Sequence, residues 1–226
     1  MNYDHLNNPV FNALSGRDSH LGSGTDKVKY FDEEVSPFAS FEDGYVKGFD
    51  DLYEMLPPKR GILYATPKRI AKPGKWKQLM DISGVQMLHV KKVPFENYNI
   101  NIVPLNTEHI GQMVALAKLT VPGPFSNRTI EFGYYYGIFD TDKLVAMTGQ
   151  RMHVDEFSEV SAVCTHPGYL GRGYATALTQ YQVTLIYDQG FKPFLHVRGD
   201  NDRAIKVYER LGFAVRSEMN FYLFRK

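Results

Sequence analysis

The stretch that most constrains this chain runs from Glu159 to Ala177 and reads EVSAVCTHPGYLGRGYATA. An apolar run suited to a strand is followed by His166-Pro167, then by a glycine-rich turn that opens directly into a helical pattern. Such a turn leaves backbone N–H groups unpaired at the positive end of a helix, where a phosphate or pyrophosphate is the natural counterpart. Gly171 and Gly173 let the backbone approach a ligand closely, and Ala175 keeps the first helical turn slim. Two common phosphate motifs are excluded. The spacing is not GxGxxG with a ribose-binding acid after a following strand, and no Gly-Lys-Ser/Thr is present.

The elements around this turn alternate. Ile100–Val103 reads as a strand, and Asn106 or Thr107 can cap a helix carrying Ile110, Met113, Val114 and Ala117 at helical spacing. Phe132–Phe139 and Leu144–Arg151, joined by the polar turn Asp140–Lys143, read as a hairpin. Val160–Thr165 is a strand. The helix Tyr174–Gln189 would turn Tyr174, Leu178, Tyr181 and Leu185 to one face, with Gly190 ending it. Pro193–Val197 is extended, and Asn201–Leu211 is a short helix with Ala204, Val207, Tyr208 and Leu211 inward. Met219–Phe224 is the last strand. This order specifies a mixed α/β layer fold with one crossover helix feeding a parallel neighbour.

Before a break near Val93-Pro94 the pattern is irregular. A Gly/Ser/Asp-rich stretch spans Ser15–Asp26, a helix is expected over Asp43–Met55, and short strands over Gly61–Ala65 and Val85–Val90, with a solvated loop at Pro67–Lys77. Two regions are therefore expected: residues 1–95 and 96–226. The balance of 26 basic against 25 acidic side chains, net +1, provides no field to draw the chain to nucleic acid or an anionic membrane. The single cysteine, Cys164, allows no internal disulfide and no cysteine-type metal site, so no metal is expected. The N-terminal stretch is polar and no segment approaches membrane-spanning length. A cytoplasmic enzyme or binding protein, monomeric or homodimeric, is the expectation.

The segment EVSAVCTHPGYLGRGYATAL, followed by FLHVRGDNDRAIKVYERLGF, resembles the GNAT superfamily of acyl-CoA-dependent N-acyltransferases. That family shows a V-x-P strand end, an R/Q-x-x-G-x-G/A pyrophosphate loop and an N-x-x-A-x-x-x-Y-x-x-x-G-F helix in this order. Here they are Thr165-His166-Pro167, Leu170–Ala175, and Asn201, Ala204, Tyr208 and Gly212-Phe213. The resemblance covers roughly Asn97 to Lys226 and includes the Gly137–Gln150 hairpin. Leu170 departs from the usual Arg or Gln, and Thr165 from the usual aliphatic residue.

The resemblance implies a mixed, mostly antiparallel central sheet flanked by helices. It also implies that the N-terminal region resembles a degenerate half of the same fold and closes one side of the acceptor cleft. The implied activity is transfer of an acetyl group from acetyl-CoA to a primary amine by direct attack. The alternative is an acyl-CoA sensor of the same fold without turnover. Val163, Cys164 and Thr165 would pair with the pantetheine arm and offer an oxyanion N–H. Leu170, Gly171, Arg172, Gly173, Tyr174 and Ala175 would hold the pyrophosphate, with Arg172 either reaching a phosphate or solvated. Asn201 would bond the pantetheine, cap the last helix, or do both. Tyr208 would protonate the departing thiolate, and Glu159 is the first candidate to accept the amine proton, ahead of His153, Glu156 and the Tyr134–Tyr136 cluster. Cys164 is expected as an unactivated buried thiol rather than a nucleophile, and His166 as support for the turn. The acceptor would be set by the loops Pro122–Arg128 and Val154–Phe157 and by the N-terminal region.

Overall fold

Neighbouring residues in one strand show how the sheet is buried. Phe194 packs into a cluster with Met113, Leu116 and Ala117, whereas Leu195, next to it, packs with Ile186, Leu211 and Phe213. Side chains of a strand alternate between faces, so a continuous apolar run means that helices cover both sides. The computed structural model describes residues 3–91, 93 and 99–226. The expected boundary at 95/96 and the start of the family resemblance at Asn97 lie outside the described residues.

The order expected from Asn106 onward is observed. β6 (Val103–Pro104) and α3 (Ile110–Thr120) precede the hairpin of β7 (Tyr136–Asp140) and β8 (Lys143–Val154), then β9 (Phe157–Thr165). α4 (Tyr174–Asp188) crosses over to β10 (Lys192–Arg198), and α5 (Asp202–Arg210) leads to β11 (Phe213–Arg225). Asn106 accepts from the Glu108 amide at 3.0 Å, as its capping role requires. Gly190, at φ +82°, follows α4 in the left-handed conformation that a glycine favours.

Several expectations are corrected. The first strand of the hairpin begins at Tyr136 and not at Phe132, because Thr129–Phe132 forms a 3-10 turn and Gly133 and Tyr134 take positive φ of +91° and +56°. The helix expected over Asp43–Met55 starts only at Gly48. The strand at Ile100–Val103 is reduced to Val103–Pro104, because only those residues find partners on β7; Ile100 and Ile102 instead pack against an apolar cluster. The fully buried face of α4 includes Leu178, Gln182 and Ile186, while Tyr174, Tyr181 and Leu185 are only partly buried. Gln182 escapes a hydrophobic reading because it is polar, yet it is satisfied inside by donating to the Tyr134 carbonyl at 2.6 Å. The irregular N-terminal stretch contains α1 (Pro9–Ser15) and a small antiparallel sheet of β1 (Gly22–Gly24), β2 (Val28–Phe31) and β3 (Ala39–Phe41), whose three- and four-residue strands are too short to show a period.

α2 (Gly48–Met55) leads to β4 (Gly61–Thr66) and the long strand β5 (Lys77–His89). The main sheet has eight strands in the order β4-β11-β5-β10-β9-β8-β7-β6. Every pairing is antiparallel except β9 with β10, joined by the crossover helix α4. Strands from both sides of the expected boundary thus share one sheet, and β5 lies between β10 and β11. A second cluster, with Trp76, Leu52, Ile62 and Phe224, ties α2 to the β4 edge; the Trp76 indole donates to the Phe49 carbonyl at 2.9 Å.

Candidate active site

The parallel pairing of β9 and β10 is short. It covers Lys192, Pro193 and Phe194 against Phe157, Ser158 and Glu159, and then β10 pairs onward with β5 alone. β9 also carries a bulge where its register with β8 slips between Ser161 and Cys164, with Ala162 at φ +53°. The C-terminal half of β9 therefore presents an open backbone edge. The His166 amide donates to the Val145 carbonyl of β8 at 2.8 Å. By strand alternation the N–H groups of Val163 and Thr165 face the other way, into the gap.

Two cavities meet across that gap. One, of about 350 Å³, runs from Thr165 past the glycine turn to the start of α5. The other, of about 440 Å³, opens on the opposite side toward Pro122–Pro124 and the N-terminal region. They share Val163, Cys164, Thr165, Asn201, Ala204 and Tyr208. Tyr208 lies at the junction, half-buried, its ring edge-on to Phe213 with centroids 5.9 Å apart. Burial, with the nearby Cys164 adding to it, pushes the phenol up to about 12. Burial likewise pushes the Cys164 thiol up to about 11, against the Thr120 hydroxyl and the Met147 backbone, so it is protonated at neutral pH.

The far end of the first cavity is built from backbone. Gly171 and Gly173 have φ of +80° and +77°, and a Cβ placed on Gly171 would meet no protein atom within 4 Å. Gly173 stands at the N-terminus of α4 with no side-chain cap. The Ala177 amide bonds back to the Gly173 carbonyl, whereas among the described residues the amides of Gly171 through Thr176 have no partner. A helix start with five free donors on residues that line open space fits a diphosphate, and the cation Arg203 stands on the same wall. Asn201 caps α5 by accepting from the Ala204 amide at 3.1 Å, which leaves its Nδ2 available to the cavity it lines. Among the described residues the buried Thr165 hydroxyl has no hydrogen-bond partner.

Val163, Cys164, Thr165, Leu170, Gly171, Gly173, Tyr174, Ala175, Asn201 and Tyr208 all line the first cavity. Arg172 does not; its guanidinium lies over the Tyr169 ring, 4.7 Å from the centroid. Glu159 lines neither cavity. It is 1% exposed, and its carboxylate accepts from Arg151 Nη2 at 2.7 Å, Arg151 Nε at 2.9 Å and His196 Nδ1 at 2.8 Å. Burial alone would raise this carboxyl, but Arg151 and His196 outweigh it and hold it below the ordinary carboxylate range. A carboxylate so occupied is a poor proton acceptor, which corrects the expectation for Glu159. Its partners Arg151 and His196 do line the second cavity.

The weaker base candidates also lie elsewhere. His153 pairs with Asp18 at 2.7 Å in the interior, Glu156 pairs with Lys192, Tyr134 is exposed, and Tyr136 packs on Tyr181. Of the loops expected to set the acceptor, Pro122–Pro124 line the second cavity and Val154–Phe157 do not. Phe38, Leu63, Met80 and Ile82 bring the N-terminal region to its wall. Arg203 and His196 were not singled out from the sequence. Arg203 carried a usable signal, since it follows the capping Asn201 by two residues and so belongs to the first turn of α5. His196 had none, because only the splay of β10 from β9 brings it to a cavity.

An open strand edge between two cavities, with a phosphate-type helix start at one end, is the arrangement that the family resemblance implies for an acyl-transferring enzyme. Comparisons agree at the level of family. A protein from Novosphingobium aromaticivorans assigned to the GNAT acetyltransferases, known from its crystal structure, is 33% identical over 98% of both chains, with a TM-score of 0.90. The FR47-like protein family matches residues 135–222. The chain belongs to the GNAT family of acetyltransferases. A mycothiol acetyltransferase of Corynebacterium efficiens is 33% identical over 79 residues, 34% of this chain. The matched stretch spans about a quarter, 27%, of that relative's length. A GCN5-related N-acetyltransferase of Kribbella flavida shares the fold at 13% identity, with a TM-score of 0.65 over 97% of this chain and 95% of its own.

Proposed function

We propose that this chain moves an acetyl group from acetyl-CoA to a primary amine by direct attack of the amine on the thioester. The observation that carries this reading is the meeting of two cavities at Tyr208, across the open edge of β9, with the unpaired amides of Gly171, Gly173, Tyr174, Ala175 and Thr176 at the far end of one. Those amides and Arg203 hold the diphosphate. The N–H groups of Val163 and Thr165 pair with the pantetheine arm as an added strand would, and one of them faces the thioester carbonyl, where it stabilises the developing oxyanion. Asn201 Nδ2 donates to the same arm.

Acetyl-CoA supplies the activated acyl carbon. As the C–N bond forms and the C–S bond breaks, Tyr208 donates its phenolic hydrogen to the departing sulfur, the amine proton leaves to water, and water returns a proton to the phenolate. Cys164, a protonated thiol, takes no part, which favours direct attack over an acyl-cysteine route. Glu159 acts as a positioning group that holds Arg151 and His196 at the wall of the acceptor cavity.

The test is thiol release from acetyl-CoA with a panel of amines. Tyr208→Phe is expected to lower kcat by about 10²-fold, with coenzyme affinity by calorimetry unchanged. Coenzyme binding without thiol release for any amine would make the chain an acyl-CoA sensor instead.

A further inference from the structure

The second cavity has a chemistry of its own. Its wall is largely apolar, with Phe38, Leu63, Ile82 and Phe221 prominent, and among the described residues no carboxylate lines it. The charged side chains it does carry, Arg151 and Arg198, are each already paired with a carboxylate that does not line it, Glu159 and Asp200. Arg151 gives Nε and Nη2 to Glu159 and keeps Nη1 without a partner among the described residues. An ammonium entering here would meet no carboxylate that is not already committed to an arginine.

Among the described residues the wall also offers no idle carboxylate or imidazole. Both oxygens of Glu159 are taken. His196 faces Glu159 through Nδ1 and the Gln86 side-chain nitrogen through Nε2, at 2.8 and 2.9 Å. The orientation of Gln86 is fixed, because its oxygen accepts from Arg216 Nη1 at 2.8 Å and its nitrogen also donates to the Leu6 carbonyl. His196 Nε2 is therefore already an occupied acceptor. The cavity suits an amine that arrives neutral. At pH 7.5 about a third of peptide α-amino groups are neutral, against roughly one in a thousand lysine ε-amines.

We propose that the acceptor is a weakly basic α-amine: the terminal amino group of a peptide or amino-acid amide whose first side chain is apolar. The apolar wall receives that side chain, and Arg151 Nη1 donates to the carbonyl oxygen of the same residue. This inference rests on the acetyltransferase reading above.

The test measures kcat/KM at pH 7.5 for leucyl-glycinamide, free leucine, Nα-acetyl-lysinamide and spermidine. The peptide amide is expected to exceed the lysine ε-amine and spermidine at least about tenfold, a conservative floor given the difference in neutral fraction. It is also expected to exceed free leucine, whose carboxylate makes its amine more basic. The rise of kcat/KM with pH should follow the substrate's own amine, shifting upward when phenethylamine replaces the peptide. Preference for lysinamide, spermidine or free leucine would overturn the inference, as would an inflection that stays fixed between amines. Coenzyme binding with no thiol release for any amine would instead remove the acetyltransferase reading on which the inference stands.

Discussion

Glu159 shows how a residue's environment can reverse the role its position suggests. It stands on β9, three residues before the bulge, where a sequence reading places a proton acceptor. The structure surrounds it with Arg151 and His196, a geometry that stabilises the carboxylate and removes its basicity. Removing its charge should be costly, because Arg151 would be left buried and unpaired. Glu159→Gln is expected to destabilise the fold by about 3–5 kcal/mol, read from urea unfolding at pH 7. The pH dependence has a definite sign. Since the folded carboxyl titrates below the ordinary range near ~4.3, its contribution is fully present above that value and is lost as pH falls below it. The gap in stability between wild type and Glu159→Gln should narrow steadily on acidification through that window. A constant gap between pH 5 and 3 would mean that the pair does not titrate with the fold.

At the scale of elements, the glycine turn and α4 were legible because glycine, proline and helical period act locally. Gly171 and Gly173 need positive φ, and the sequence marks that need directly. The Asn106 and Asn201 caps are legible for the same reason. The buried polar face of α4 was not, since Gln182 is satisfied by a carbonyl contributed from the β7 side, which no local pattern reports. The bulge at Ala162 is equally silent, as alanine carries no mark of a left-handed φ. The open space beside Gly171 allows a specific prediction. Gly171→Ala meets no protein atom, so its structural cost is confined to the backbone, about 1–2 kcal/mol for a Cβ in the left-handed region. That corresponds to a Tm decrease of only a few degrees, roughly 2–8 °C for a domain of this size. If the space holds the diphosphate, coenzyme affinity should fall much further, since the added methyl group displaces the ligand from the amides. Differential scanning calorimetry and isothermal titration on the same variant compare the two. Unchanged affinity for CoA would place the diphosphate elsewhere.

For the whole molecule, the decisive feature is the position of β5. Residues 77–89 come early in the chain, yet they pair along β11 on one side and β10 on the other, with Gly84 opposite both Met219 and Arg198. A Cβ on Gly84 would come within 2.8 Å of the Val197 carbonyl and 2.9 Å of the Phe221 ring, so the close approach of the three strands is built into this residue. The sequence pattern at Val85–Val90 marks the end of this strand but does not place it in the sheet, because pairing partners more than 100 residues away leave no local trace. Without β5, β10 and β11 would each present an unpaired backbone edge, and Met87 and Leu88 would leave clusters on both faces of the sheet. The fragment 96–226 alone is therefore expected to show no cooperative thermal transition, although it contains every residue placed at the coenzyme cavity. Co-expression with 1–95 should restore both the transition and coenzyme binding, because the missing strand can pair from a separate chain. A cooperative melt of 96–226 by itself, with coenzyme bound, would show that β10 and β11 can close on each other. β5 would then serve to shape the acceptor wall rather than to complete the sheet.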